Sequence, residues 1–170
     1  MDVLGNKRVA PDSWDFETHA EGPAGKIEFS AKMLISEPSG NIFAQSQNVG
    51  MGWDPKKLWG TQYMILSTMG GMRSDDGTPI ALGHHTGHFE LGMLIKTAAE
   101  QIQEMGGVPY TAYCSDPCDG RSQGTSGMMD SLPYRNDAAI VMRRLSRSIP
   151  TTKGVLGIAT CDKGLPAMMM

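Results

Sequence analysis

The chain has 170 residues, 40% of them apolar, and a formal charge of -3, enough for one domain with its own core and unlike a disordered chain. So small a charge, with no basic run longer than Arg143-Arg144, argues against a nucleic-acid face, and no apolar run reaches the about 18 residues that a membrane helix needs. Three cysteines exclude a closed disulfide framework, and Met1-Asp2-Val3-Leu4 lacks a cationic-then-apolar signal pattern; the expected setting is the cytoplasm, where thiols are buried, reactive or metal-bound.

Residues 1–40 read as a loosely organised arm, in which Pro11, Pro23 and Pro38 punctuate short apolar pieces such as Ile27 to Phe29 and Met33-Leu34-Ile35. A glycine-bracketed loop follows, with Trp53 packing, Asp54 placed to cap a short helical turn and Pro55 at its first position. Residues 63–68 form a nearly continuous apolar run before Gly70-Gly71, as expected of a strand buried on both faces. Asp75-Asp76-Gly77 is a turn. Leu91, Leu94, Ile95, Ala98, Ile102 and Met105 then recur at helical spacing, and Gly106-Gly107 ends the pattern. A second strand over residues 108–113 runs into a turn at residues 115–120 and a glycine-rich loop through Gly124 and Gly127. The next helix begins after Leu132-Pro133, turns Ala138, Val141, Leu145 and Ile149 inward and Arg143, Arg144 and Arg147 outward, and stops at Pro150. Residues 154–159 are a third buried strand. The order predicts that residues 41–170 are a layered α/β domain with a mainly parallel sheet, whose ligands sit beyond the carboxyl ends of the strands.

Two Cys-Asp pairs, Cys118-Asp119 and Cys161-Asp162, both follow predicted strands and so belong at that edge. Thiolates suit zinc or an iron–sulfur cluster and carboxylates suit magnesium, so a mixed site with two metals is one reading; buried thiols with capping aspartates are the other. A zinc site built from Cys114, Cys118, Cys161 and a histidine is also open, although Cys114 by itself reads as a packing residue. The segment His84-His85-Thr86-Gly87-His88 lacks the glutamate of a zinc-protease helix, and Gly83 and Gly87 argue against a helix there. It is expected to be a loop lining a polar pocket, or surface. The loop carrying Arg121, Ser122 and Gln123 is rich in donors for a carboxylate or phosphate, but matches neither a P-loop nor a dinucleotide fingerprint.

Cys118-Asp119-Gly120-Arg121-Ser122-Gln123-Gly124 and Thr160-Cys161-Asp162-Lys163-Gly164-Leu165-Pro166, with Ser131-Leu132-Pro133-Tyr134-Arg135 between them, resemble signature stretches of the dihydroxy-acid and phosphogluconate dehydratase family, above all its sugar-acid branch. The likeness runs from about Ser39 to the last residue. It implies a hydro-lyase that removes water from a sugar acid, with D-xylonate the expected substrate and a 2-keto-3-deoxy acid the product. It also implies an iron–sulfur cluster, of two or four irons, as Lewis acid, and magnesium on the substrate carboxylate and 2-hydroxyl. Carried over by position, Cys118 and Cys161 resemble cluster ligands, and Asp119, Asp162 and Lys163 resemble magnesium ligands. Lys163 would then be catalytic and carbamylated, because an ammonium cannot ligate a cation. Arg121, Ser122, Gln123 and His88 would face the substrate. The family's two-iron branch places its first cluster cysteine near the His84 to His88 segment, where this chain has none, so Cys118 is expected to serve instead. Family chains are several times longer. The resemblance therefore implies an N-terminal portion without the third cysteine, the magnesium glutamate, the serine base or the second, β-rich domain. Such a portion is expected to be inactive alone and part of a homo-oligomer in the full-length enzyme. The alternative is a non-catalytic metal-binding or interaction fragment.

Overall fold

The computed structural model describes residues 17–115 and 117–170; the N-terminal pattern and Pro11, and Asp116 of the expected turn, lie outside them. The chain divides into two compact units, one ending at Trp59 and one beginning at Gly60.

In the first unit, β1 (Glu17–Gly22) and β2 (Gly25–Ser30) form an antiparallel hairpin in which Ala20 faces Ile27 and Thr18 faces Phe29. Here the chain departs from the expected loose arm. Lys26-Ile27-Glu28-Phe29 alternates with the period of a strand, so Ile27 and Phe29 are buried on one face while their neighbours are exposed. Ser30 caps α1 (Ala31–Ser36), its hydroxyl accepting the Met33 N–H at 3.2 Å. Val49 from α2 (Ser39–Gly50) and Leu58 close this small core, against which Trp53 packs. Val49 is fully buried there, and the first compact unit runs on to Trp59. Asp54 caps the turn Pro55–Lys57 as expected, accepting from the Lys56 N–H at 2.9 Å.

The second unit is built on β3 (Gln62–Ser67), β6 (Val108–Tyr113) and β7 (Gly154–Ile158), all parallel, in the order β6-β3-β7. The central strand is the apolar run: Met64, Ile65 and Leu66 are buried, each worth about 1.5–3 kcal/mol of burial. Alternation along β3 feeds two cores. Ile65 packs with Leu91, Ile95 and Ile102 of α3 (Thr86–Glu104). Met64 and Leu66 pack with Ala138 and Met142 of α5 (Ser131–Ser146) and Ala167 of α6 (Gly164–Met169). Helices therefore cover both faces of a parallel sheet, the layered α/β architecture that the order of elements predicts.

Three details differ from expectation. The helix of the histidine segment begins at Thr86, not at Leu91. The helix α5 begins at Ser131, ahead of Leu132-Pro133, and ends at Ser146, short of Pro150; its inward stripe runs 138, 142, 145, which leaves Val141 one position off it and 41% exposed. And β7 is an edge strand among the described residues, so Val155 and Leu156 are half exposed rather than buried. Beyond β3 a short hairpin of β4 (Met72–Arg73) and β5 (Pro79–Ala81) is tied to α3 by Arg73. That guanidinium lies 3.8 Å over the Phe89 ring and pairs with Glu90 at 2.8 Å.

Candidate metal centre

The strand ends are tied together by polar residues that follow the apolar runs. Ser67 and Thr68 are buried at the carboxyl end of β3; the Ser67 carbonyl accepts the Cys114 N–H at 2.9 Å, and the Thr68 hydroxyl accepts the Thr160 N–H at 3.3 Å. This brings the ends of β6 and β7 to the end of β3. The start of α3 is locked to the same place, because the Gly70 N–H donates to the His88 carbonyl at 3.1 Å. Gly87 makes the contact possible: a β-carbon there would lie 2.8 Å from the His85 ring and 2.9 Å from the Thr160 hydroxyl.

His85 is the N-cap of α3, its Nδ1 accepting the Gly87 N–H at 2.9 Å. His88 sits in the first turn and is fully buried, so it is neither on a loop nor on the surface. The two rings lie 4.2 Å apart with planes tilted by 56°. Across from them is Cys161, in the left-handed backbone conformation with φ 71°. It is half-buried, its thiol 3.5 Å from Asp162 Oδ1.

Lys163 is 8% exposed. Its ammonium donates to Asp162 Oδ2 at 2.6 Å and to Asp119 Oδ2 at 2.8 Å, joining the turn after β7 to α4 (Asp119–Ser122). The hydrogen bonds to Asp119 and then Asp162 push the lysine pKa up to about 12. The bond from Lys163 holds the Asp162 carboxyl below its ordinary value, against the opposing effect of burial. Two carboxylates around one ammonium leave the trio anionic.

Among the described residues, two groups of potential metal ligands have their ligand atoms within 4.8 Å of one another: His85, His88 and Cys161, and Asp119, Cys161 and Asp162. The first is a nitrogen–sulfur set suited to a borderline or soft metal, the second an oxygen-rich set suited to a hard cation, and Cys161 belongs to both. Asp119, Asp162, Lys163 and Cys161 are thus brought together, as their positions after strands predict. Cys118 is not in either group. It is buried at the start of α4, 9% exposed. Nor does Cys114 join them; it packs against the core beneath α5 and α6. The zinc set of three cysteines and a histidine is therefore not assembled.

The donor loop is a helical turn at α4 and a further turn at Ser126–Asp130, not irregular throughout. The Ser122 hydroxyl is turned onto the Cys118 and Asp119 carbonyls at 3.4 Å, while Arg121 and Gln123 are exposed. Thr68 and the capping role of His85 were not singled out from the sequence, and Gly87 was read there only as a helix breaker. Polar residues at the very end of an apolar run were the available signal for Thr68. A groove of about 750 Å³ between the β4–β5 hairpin and α3, lined by Met69, Arg73, Phe89 and Met93, is separate from these ligands.

The chain is 61% identical to D-xylonate dehydratase YagF of Escherichia coli over 153 residues, 90% of this chain and 23% of that protein. It is 55% identical to D-xylonate dehydratase YjhG of the same organism over 159 residues, 94% of this chain and 24% of that protein. It is 33% identical to a dihydroxy-acid dehydratase of Archaeoglobus fulgidus over 84 residues, 49% of this chain and 15% of that protein. The chain thus spans about a quarter of the length of the two most similar of these relatives. Residues 81–170, more than half of it, match the family model described as Dihydroxy-acid/6-phosphogluconate dehydratase N-terminal. On that match, and with helices on both faces of a parallel sheet, the protein belongs to the dihydroxy-acid/6-phosphogluconate dehydratase family.

Proposed function

We propose that this chain supplies the metal-binding part of a hydro-lyase centre that dehydrates a sugar acid, D-xylonate, to a 2-keto-3-deoxy acid. One observation carries the reading: a thiol, two carboxylates and a nearly buried lysine converge at the carboxyl edge of the sheet, in a chain similar to two proteins named D-xylonate dehydratases. The donor chemistry fits the groups that the family implies. Asp119 and Asp162 offer oxygen ligands to magnesium, and Cys161 offers a thiolate to iron. When bound, the iron–sulfur cluster would supply Lewis acidity for loss of the 3-hydroxyl, and magnesium would offset the carboxylate charge and hold the 2-hydroxyl.

Lys163 is the residue on which this depends. As an ammonium it satisfies both carboxylates and repels a metal cation. Addition of carbon dioxide to the neutral amine, with loss of a proton, gives an anionic N-carboxylate, which turns a repelling charge into a third oxygen ligand. The C2 proton and the C3 hydroxyl of the sugar acid then leave as water, and the enol so formed ketonises. Asp119, Asp162 and Cys161 are occupied as ligands, so the base that takes the C2 proton lies outside this set. We therefore read the chain alone as inactive. Exposed Arg121 and Gln123 are read as reaching the hydroxyls and carboxylate of the substrate, and a chain with an odd number of cysteines suits a reducing cytoplasm.

The test is a graft. YagF in which the matching 153 residues are replaced by those of this chain should dehydrate D-xylonate, measured as 2-keto-3-deoxy acid, and Asp119→Asn or Asp162→Asn in the graft should abolish turnover. A folded graft that is inactive, or one indifferent to both substitutions, would overturn the reading.

A further inference from the structure

The nitrogen–sulfur group has no place in the ligand set carried over from the family signatures, and it lies where a metal would meet Cys161. We propose that the imidazoles of His85 and His88, and not the thiol of Cys118, join Cys161 in holding the soft metal group of this centre. The proposal rests on the dehydratase reading only for the nature of that group.

Three observations converge. The ligand atoms of His85, His88 and Cys161 lie within 4.8 Å of one another, a spacing at which one ion can touch all three, whereas Cys118 belongs to no such group. The two rings lie 4.2 Å apart and are tilted by 56° rather than stacked flat, so both stand beside Cys161. The approach is also built into the backbone, since Gly87 allows the first turn of α3 to press against Thr160, the residue before Cys161. Two imidazoles and one thiolate form a donor set for iron, zinc, cobalt or copper and a poor one for magnesium. Cys161 therefore divides the site, with nitrogen and sulfur ligands on one side and carboxylates on the other.

One consequence follows from the cap. Nδ1 of His85 accepts the Gly87 N–H, so the ring proton of the neutral imidazole sits on Nε2. Coordination through Nε2 moves that proton to Nδ1, which becomes a donor and releases the Gly87 N–H. Metal and helix cap exclude one another.

Cobalt(II) is the probe, added to the purified 170-residue chain under reducing, anaerobic conditions, because its thiolate charge-transfer band reports sulfur ligation directly. The expected result is one cobalt per chain and a band that Cys161→Ser removes. His85→Asn should weaken cobalt binding at least about tenfold without loss of stability in the metal-free protein, since asparagine caps a helix as well as any residue. His88→Ala should do the same wherever circular dichroism shows that it folds. Cys118→Ser should leave the affinity unchanged, and cobalt should speed hydrogen exchange at the Gly87 amide. The assignment falls if the folded chain binds no cobalt, if His85→Asn binds as the parent does, or if Cys118→Ser removes the band. None of those outcomes touches the graft experiment, so the dehydratase reading stands or falls separately.

Discussion

Replacing Gly87 with alanine probes the contact on which the candidate centre is assembled. The residue lies in the first turn of α3, where alanine would ordinarily be favoured over glycine by up to about 1 kcal/mol. Only part of that gain is available so near the helix start. Against it stands the new β-carbon, 2.8 Å from His85 Cε1, 2.9 Å from Thr160 Oγ1 and 3.1 Å from His85 Nδ1. The His85 ring is held by the Gly87 N–H and the Thr160 backbone by its bond to Thr68, so relief requires a shift, and overpacking of this kind costs about 1–3 kcal/mol. The net expectation is a loss of about 1–2 kcal/mol. Gly92 in the same helix is the matched control, because its new β-carbon would meet only the Met69 sulfur at 3.2 Å. That thioether is the end of a flexible side chain and can swing away, so Gly92→Ala should be neutral or stabilising by up to about 1 kcal/mol. Urea unfolding followed by far-ultraviolet circular dichroism separates the two variants by about 2 kcal/mol if the reasoning holds. A Gly87→Ala chain as stable as Gly92→Ala would refute it, and would mean that α3 and the Cys161 turn can move apart freely.

Other substitutions test other parts of the molecule. Lys163→Met should lower the melting temperature of the metal-free chain between about pH 4 and 10. The raised lysine pKa makes the pair's contribution complete below the ordinary value of 10.5 and lost as pH rises through about 12, and the lowered Asp162 pKa makes it fade as pH falls below 3.8; a pH-independent difference would contradict this. Arg73→Ala removes a cation–π contact and a half-exposed ion pair and should cost about 1–2 kcal/mol, with faster hydrogen exchange confined to the β4–β5 hairpin. Leu156→Lys places a charge on the exposed edge strand and should reduce light scattering on concentration without changing the melting temperature by more than a degree or two.

The sheet and its two main helices were legible because their signals are local. An apolar run such as Met64-Ile65-Leu66 has few alternatives to a central strand, and the spacing of Leu91, Ile95 and Ile102 fixes one helix face. What could not be read depends on neighbours. Whether Val155 and Leu156 are covered is decided by what lies beside β7, not by their own apolarity. Gly83 and Gly87 argued against a helix at the histidines because glycine lowers propensity, yet Gly87 is explained by Thr160, more than seventy positions away. His85 as an N-cap is outside the usual set of serine, threonine, aspartate and asparagine. The candidate site shows the same division. Asp119 and Asp162 were placed at one edge by their position after strands, and they meet at Lys163. Cys118 and Cys161 carry the same motif but not the same fate: Cys161 stands three residues beyond the end of β7, whereas Cys118 stands five beyond β6, far enough to begin a new helical turn.

The left-handed backbone at Cys161 has a bearing on how lineages of this protein would age. A side chain at that conformation costs about 1–2 kcal/mol that glycine would not, and asparagine suffers less than most. Stability alone would therefore favour those two residues over cysteine at position 161. If the site fell out of use, this position would be among the first to relax, before the apolar strands beneath it, whose packing holds the sheet whether or not a metal is bound.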